Sequence, residues 1–263
     1  MLDPRNFARR GFGAGSLSIS VQFFAIFGFL FLALPYLQSV RGYTPLHAAA
    51  ALLPLALIVI PLSRVAPRIA ARLGVRVTGP IGLGLLATGF LILSSLGTSG
   101  SYWHLLAGLV LLGTGMGLSG SPATTAVVAS LPSEKQGVAS SVNDLSRELG
   151  GALGIAVLGS ILNSAYRTQI ASHTTTLPTS LAAKARGALG AAQVIGQRLG
   201  DHNLITHANT AYVHGIDLAF LATAAVLLAG AIFVAFRAQG HTESQANTGT
   251  TTTRRLTPTP GRP

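Results

Sequence analysis

The sequence predicts an all-α integral membrane protein, a bundle of six membrane-crossing helices, and three observations carry that prediction. Charged residues make up only 10% of the 263 residues while hydrophobic ones make up 49%, whereas a soluble domain carries charge at about a quarter of its positions. Six apolar runs approach or exceed the roughly 20 residues a helix needs to cross about 30 Å of hydrocarbon. The runs lack the alternation of about ten-residue segments that marks an outer-membrane barrel, so strands are excluded as the spanning element.

The runs cover approximately residues 16–38, 46–65, 78–96, 103–131, 138–166 and 212–236. The first ten residues hold charge and a proline but no apolar stretch, so the N-terminal segment 1–15 reads as a cytoplasmic lead-in rather than a cleaved leader. With the N-terminus inside, the inner side collects Arg5, Arg9, Arg10, Arg64, Arg68, Arg72, Arg76, Lys135, Arg237, Arg254, Arg255 and Arg262. Outside fall Arg41 and the four basic residues of one long loop, and long loops count least in setting orientation. Both termini are therefore expected in the cytoplasm, with the chain in the inner membrane. Tyr36, Tyr43, Tyr102 and Trp103 then gather at the outer helix ends, where amphipathic rings prefer to sit.

Segment 167–211 turns polar and reads as an extracytoplasmic loop with room for a short helix on the membrane surface. The tail 237–263, with "HTESQANTGTTTTRRLTPTPGRP", is low in complexity and has no apolar face, which predicts disorder. The net charge of +11 does not indicate nucleic acid, because the arginines sit between apolar blocks and form no basic stripe interleaved with aromatics. Membrane lipid is the expected surrounding instead.

Enzyme signatures are wanting. There is no cysteine, which removes disulfides and thiolate chemistry. His173, His202, His207 and His214 show no metal-ligand spacing on a confident helix with an acidic partner. "GTGMGLSG" lacks the Lys-Ser/Thr ending of a phosphate loop and lies inside an apolar run. No Gly-x-Ser-x-Gly elbow is present. No enzyme, cofactor or metal is predicted.

Helix four explains those glycines differently. Gly113, Gly117 and Ser121 recur every four residues and share a face on which another helix backbone can approach closely. Pro122 follows and frees a carbonyl, which suits either tight packing or a bending point.

Helix five opens with Asn143, Asp144, Arg147 and Glu148, three charges within five residues, followed by Gly150, Gly151 and Gly154. At about 100° per residue, Glu148 falls near 40° from Asp144 and Arg147 near 300°, with Gly150 and Gly154 flanking at about 240° and 280°. A charged stripe thus runs beside a close-packing stripe. Unpaired charge near the middle of a membrane helix costs roughly 2.5–3.5 kcal/mol, so these groups must pair or face water. Asp144 and Arg147 are spaced to pair within the helix. Two readings follow: an ion-pair network fixing the helix end, or a cavity lining in which Glu148 first and Asp144 second bind a proton or a cation, with Arg147 tuning both. Gln22 and Asn143 are weaker candidates for the same lining. Asp217 falls near the outer end of the last run, where interfacial solvation accounts for it.

"YLQSVRGYTPLHAAAALLP", "PRIAARLGVR" and "GTGMGLSGSPATTAVVASLPSEKQGVASSVNDLSRELGGALGIAVLGSIL", with a long outer loop before a final helix, resemble the C-terminal half of a major facilitator superfamily transporter. More narrowly they are similar to its fourteen-helix drug/proton antiporter branch, which exports quaternary ammonium compounds and other lipophilic molecules. The six helices would correspond to that branch's helices nine to fourteen. The resemblance implies protons and a small lipophilic substrate as ligands, and a missing N-terminal half or partner chain that completes the path. Within Pro67–Arg76, Arg68, Arg72, Gly74 and Arg76 resemble a second copy of the family's helix-linking loop, but Ala71 stands where the motif has aspartate. No arginine precedes the glycine-rich helix, where the family's N-terminal half carries one for proton coupling; His104 is the nearest polar residue. The alternative to a transporter is a membrane scaffold or regulatory subunit that docks a partner through its glycine faces.

Overall fold

A computed structural model describes residues 10–132 and 135–237. The sequence readings of segment 1–9 and of the tail from residue 238 onward lie outside the described residues.

The described chain forms α1 (Arg10–Pro35), α2 (Pro45–Leu73), α3 (Val75–Leu93), α4 (Tyr102–Ala129), α5 (Gln136–Ile170), α6 (Thr179–Gly187), α7 (Leu189–Leu199) and α8 (His202–Arg237). A π-helical turn, Tyr36–Val40, extends α1 directly after Pro35. Six of these helices are long and apolar enough to cross a membrane. They coincide with the six apolar runs of the sequence, so the expected all-α, six-span architecture is the one observed.

Element ends follow local chemistry. Thr44 caps α2, its hydroxyl accepting from the His47 amide at 3.3 Å, and Pro45 occupies the first helical position, where a missing N–H costs nothing. Gly74, at φ 85°, ends α2 and begins α3 at once. Its N–H donates to the Ala70 carbonyl at 2.8 Å, and its own carbonyl accepts from the amides of Val77 and Thr78. A residue with a Cβ is strained at that φ, which accounts for glycine here.

The packing has two-fold character. The six spans fall into two triplets in chain order, α1, α2, α3 and α4, α5, α8, and the second helix of each lies on the first helix of the other: α2 on α4, and α5 on α1. The third helices, α3 and α8, pack on each other, and α1 meets α4. Phe29, Phe90 and Phe220, from α1, α3 and α8, meet in the core with ring centroids 5.4–6.2 Å apart.

Glycine makes both crossings possible. Gly113 and Gly117 of α4 rest against Ile58 and Leu62 of α2, the face that the four-residue spacing predicted. A second small-residue face on α4, Gly108, Gly115 and Ser119, receives Leu93, Leu86 and Gly82 of α3 and went unread in the sequence. At α1–α5, Gly150 lies on the Ser20 backbone and Gly154 on the Phe24 backbone. In lipid no hydrophobic driving force separates helix from hydrocarbon, so close backbone approach supplies the association.

The segment 167–211, expected as an outer loop with room for a short surface helix, is largely helical. Its first residues continue α5, its last residues begin α8, and α6 and α7 lie between. Ala182, Ala185, Leu189, Ala192 and Ile195 are buried, because the amphipathic sides of α6 and α7 turn onto the protein. Gln193 bridges α7 to the Ser39 carbonyl and to Asn209 Oδ1, both at 2.8 Å. The cap therefore closes one end of the bundle, here termed the hairpin end after the α3–α4 turn it shares. The opposite, basic end holds Arg64, Arg68, Arg72 and Arg76.

Replacing Gly150 or Gly154 by alanine sets a methyl group against a backbone carbonyl that cannot rotate away, and overpacking of this kind costs about 1–3 kcal/mol. Thermal unfolding in detergent is expected to show a lowered midpoint for Gly150→Ala and Gly154→Ala. Gly84→Ala, where a Cβ meets nothing within 4 Å, should leave it unchanged.

Candidate functional site

The candidate site forms where the start of α5 lies against α1 and α4 near the basic end. Its floor is a small apolar cluster of Phe12, Ile19, Ala123, Val127, Ala139 and Val142. Above that floor Gly150, Gly151 and Gly154 turn inward against α1 while Asp144 and Glu148 stand exposed. The wheel derived from the sequence is thus realised as a close-packed stripe beside an acidic one.

Arg147 is placed differently from the sequence expectation. It makes no ion pair with Asp144. Its guanidinium lies over the Phe23 ring, 5.2 Å from the centroid, and Nη2 donates to Thr124 Oγ1 of α4 at 3.5 Å. The helix is the reason: Gly150 and Gly151 draw this side of α5 onto α1, so the side chain at 147 enters the α1–α4–α5 junction and the acids turn outward. Arg147 Nε is buried there without a hydrogen-bond partner among the described residues, as is Asn143 Oδ1, while Asn143 Nδ2 donates to Asp144 Oδ1 at 3.4 Å. Phe23 and Thr124 carry no motif and were missed by sequence reasoning; an aromatic facing an apolar bundle gives no signal until its neighbour is known.

Gln22 is buried on α1 and belongs to a different contact. Its Nε2 donates to the Ser18 carbonyl at 3.0 Å and to Ser18 Oγ at 2.9 Å, one turn earlier on its own helix, and its amide oxygen faces Gly120 of α4. Gln22 therefore sits at the α1–α4 contact rather than beside the acids. Ser121 is half-buried and Pro122 buried within α4, which continues as helix through the proline.

The loop motif is divided by the fold. Arg68 and Arg72 lie exposed on the last turns of α2. Gly74 makes the turn described above. Arg76 Nε donates to the Ala235 carbonyl at 3.1 Å, so it satisfies one of the last carbonyls of α8, which lack helical partners, and sets a cation at the negative end of that helix. An arginine of the loop thus ties α3 to α8 without the aspartate of the motif.

Asp217 departs from its sequence reading. Its Oδ1 is buried without a hydrogen-bond partner among the described residues, and the carboxylate lines a pocket with Phe29, Tyr36, Leu96 and Phe220 instead of standing in interfacial water. The cause is the π-turn after Pro35 and the α3–α4 hairpin, joined by the Tyr36 hydroxyl donating to the Gly97 carbonyl at 2.8 Å, which cover this part of α8.

Comparison with known proteins accords with this architecture. Residues 3–155 match the family model of the Major Facilitator Superfamily, and the chain belongs to that family. It is 34% identical over 173 residues to the multidrug resistance protein Stp of Mycobacterium tuberculosis, covering 66% of this chain and 32% of Stp. It is 31% identical over 241 residues to the multidrug efflux pump LfrA of Mycolicibacterium smegmatis, covering 90% of this chain and 48% of LfrA. Its fold matches that of a bacterial homolog of the human lysosomal transporter Spinster, captured inward-facing and unoccupied, with a TM-score of 0.69 at 18% identity over 89% of this chain and 48% of that one. The chain thus spans a third to a half of the length of these proteins. It is a multi-pass membrane protein, and the two-fold packing is the nested three-plus-three helix repeat of half a major facilitator fold.

The Arg147–Phe23 contact is expected to stabilise the α1–α5 junction. A double-mutant cycle of Phe23→Leu and Arg147→Met, read by thermal unfolding, should return a coupling of about 0.5–2 kcal/mol. A coupling indistinguishable from zero would show that the guanidinium is held by Thr124 alone.

Proposed function

We propose that the chain is one half of a proton-coupled exporter of lipophilic or cationic drugs, of the fourteen-helix type, whose path is completed by a second helix bundle. The observation that carries this reading is the pair of carboxylates Asp144 and Glu148, exposed on the outward face of α5 with no cation paired to them among the described residues. Charge on a lipid-facing surface is costly, so such a face belongs against water or against another bundle.

Coverage of the helices supports the same conclusion. In their most apolar stretches only 11% of α2 and 28% of α5 is buried, against 61% of α1. The two least covered helices are thus the second of each triplet. A partner bundle seated on them would enclose the acids in a central path between the halves. Glu148 and Asp144 then take a proton in the closed state and release it in the open one, and Arg147, held by Phe23 and Thr124, supplies a fixed positive charge nearby. Asn143 offers an amide group to the same region, whereas Gln22 stays at the α1–α4 contact. Names of relatives point the same way, since both mycobacterial proteins are named for multidrug resistance or efflux. The basic end is assigned to the cytoplasm of the inner membrane, on the arginine distribution. Arg68, Arg72 and Gly74 then form the cytoplasmic linker, with Arg76 anchoring α8.

The test is efflux of a fluorescent lipophilic cation from cells that express this chain together with the N-terminal helices of LfrA. Uncoupler-sensitive efflux from the paired form is expected, falling to the vector background with Glu148→Gln at equal membrane abundance. Unchanged efflux in Glu148→Gln would reduce the acid to a structural role. Absence of efflux, combined with tight association of the chain with an unrelated membrane protein, would favour a scaffold.

A further inference from the structure

A further carboxylate, Asp217, lies toward the opposite end of the bundle from the acids of α5. Asp217 lines a pocket built from four helices. Phe29 of α1 and Phe220 of α8 floor it, Leu105 of α4 and Val213 of α8 wall it, and Tyr36 and Leu96 roof it toward the α3–α4 hairpin. Its free space is about that of one water molecule.

Among the described residues no cation is ion-paired or hydrogen-bonded to Asp217 Oδ1. Oδ1 is buried and has no hydrogen-bond partner among the described residues. The only other polar side chain of the lining, Tyr36, has its hydroxyl committed to the Gly97 carbonyl. Arg41, beyond the end of α1, donates to the Thr98 carbonyl at 3.4 Å. His104 of α4 is bound to the Ile92 carbonyl at 2.7 Å, and Tyr166 of α5 donates to the Ala185 carbonyl at 2.9 Å. On α8 itself, Tyr212 is buried outside the pocket lining, and His214, one turn earlier, is exposed, lies outside the lining and acts on Asp217 only through its charge. The pocket receives no titratable group from α3, whose Arg76 is spent at the far end on Ala235.

Size and chemistry decide what can occupy the site. A lipophilic organic cation is far larger than one water molecule. A metal ion needs several oxygen ligands, and the lining offers one carboxylate and one committed hydroxyl. A proton needs only the carboxylate. We propose that Asp217 is a proton-binding site of the hairpin end, protonated while Tyr36 and the α3–α4 hairpin close the pocket and deprotonated when α1 and α8 part and water enters. In the release step the carboxyl O–H bond breaks, the proton passes to water, and the carboxylate keeps the electron pair and gains hydration. The reverse step returns a proton from water on the same side. Use of this site in transport rests on the exporter reading given above, but proton binding itself does not.

The experiment is infrared difference spectroscopy on the full chain, purified into lipid nanodiscs and taken from neutral to alkaline pH, with Asp217→Asn, Asp217→Glu and the double variant Asp144→Asn/Glu148→Gln in parallel. The wild type should show a protonated-carboxyl carbonyl band at neutral pH that shifts in deuterium oxide and vanishes on alkalinisation. Asp217→Asn should lack the band, Asp217→Glu should keep it at a shifted frequency, and the double variant should keep it unchanged. A band absent from the wild type at neutral pH, or present in Asp217→Asn and lost in the double variant, overturns the assignment. Should Asp217→Asn fail to fold, the frequency shift in Asp217→Glu decides alone, an unshifted band refuting the proposal. Because the readout needs no substrate and no partner bundle, the drug-efflux reading can fail while this band is present, and the reverse.

Discussion

Close approach of helix backbones at glycine is the constraint from which the remaining structure follows. In water a bundle of this kind would be held by apolar burial, but hydrocarbon solvates leucine as well as a neighbouring leucine does, so association rests on packing distance and on polar contacts. Gly150 and Gly154 let α5 lie on the backbone of α1, and Gly113 and Gly117 let α4 receive α2. These two crossings set each triplet's second helix on the other triplet's first, which gives the bundle its two-fold character and leaves one side of α2 and α5 uncovered.

The same crossings arrange the polar groups. Once Gly150 and Gly154 fix which side of α5 faces α1, position 147 must enter the junction and positions 144 and 148 must face away. The arginine then finds Phe23 and Thr124 instead of the neighbouring aspartate. A cation fixed inside the bundle and two acids outside it is an arrangement of charge that only a second surface or an aqueous path can complete. At the other end, the π-turn after Pro35 and the Tyr36–Gly97 hydrogen bond cover Asp217, so the bundle carries carboxylates near both ends in contrasting surroundings, one pair open and one closed.

Legibility from sequence divides along physical lines. The six spans were legible because the bilayer imposes length and apolarity on each segment independently of the others. The Gly113–Gly117 face was legible because a four-residue repeat is a property of one helix. The helical cap of α6 and α7 was read as an outer loop with room for one short surface helix, because its alanine-rich, weakly amphipathic pattern becomes a buried face only when α8 lies beside it. The second face of α4, with Gly108, Gly115 and Ser119, went unread because it does not keep a single four-residue interval.

By itself, then, the sequence determined the medium, the number of spans, the helix on which the charges stand and the face of that helix on which small residues gather, all of which depend on local composition and on the 3.6-residue period. Tertiary structure alone decided the partners of those groups: Arg147 with Phe23 and Thr124, Arg76 with the end of α8, and Asp217 enclosed with Tyr36 and the core phenylalanines. These contacts join residues far apart in the chain, and the period of a single helix carries no information about which neighbour its faces will meet.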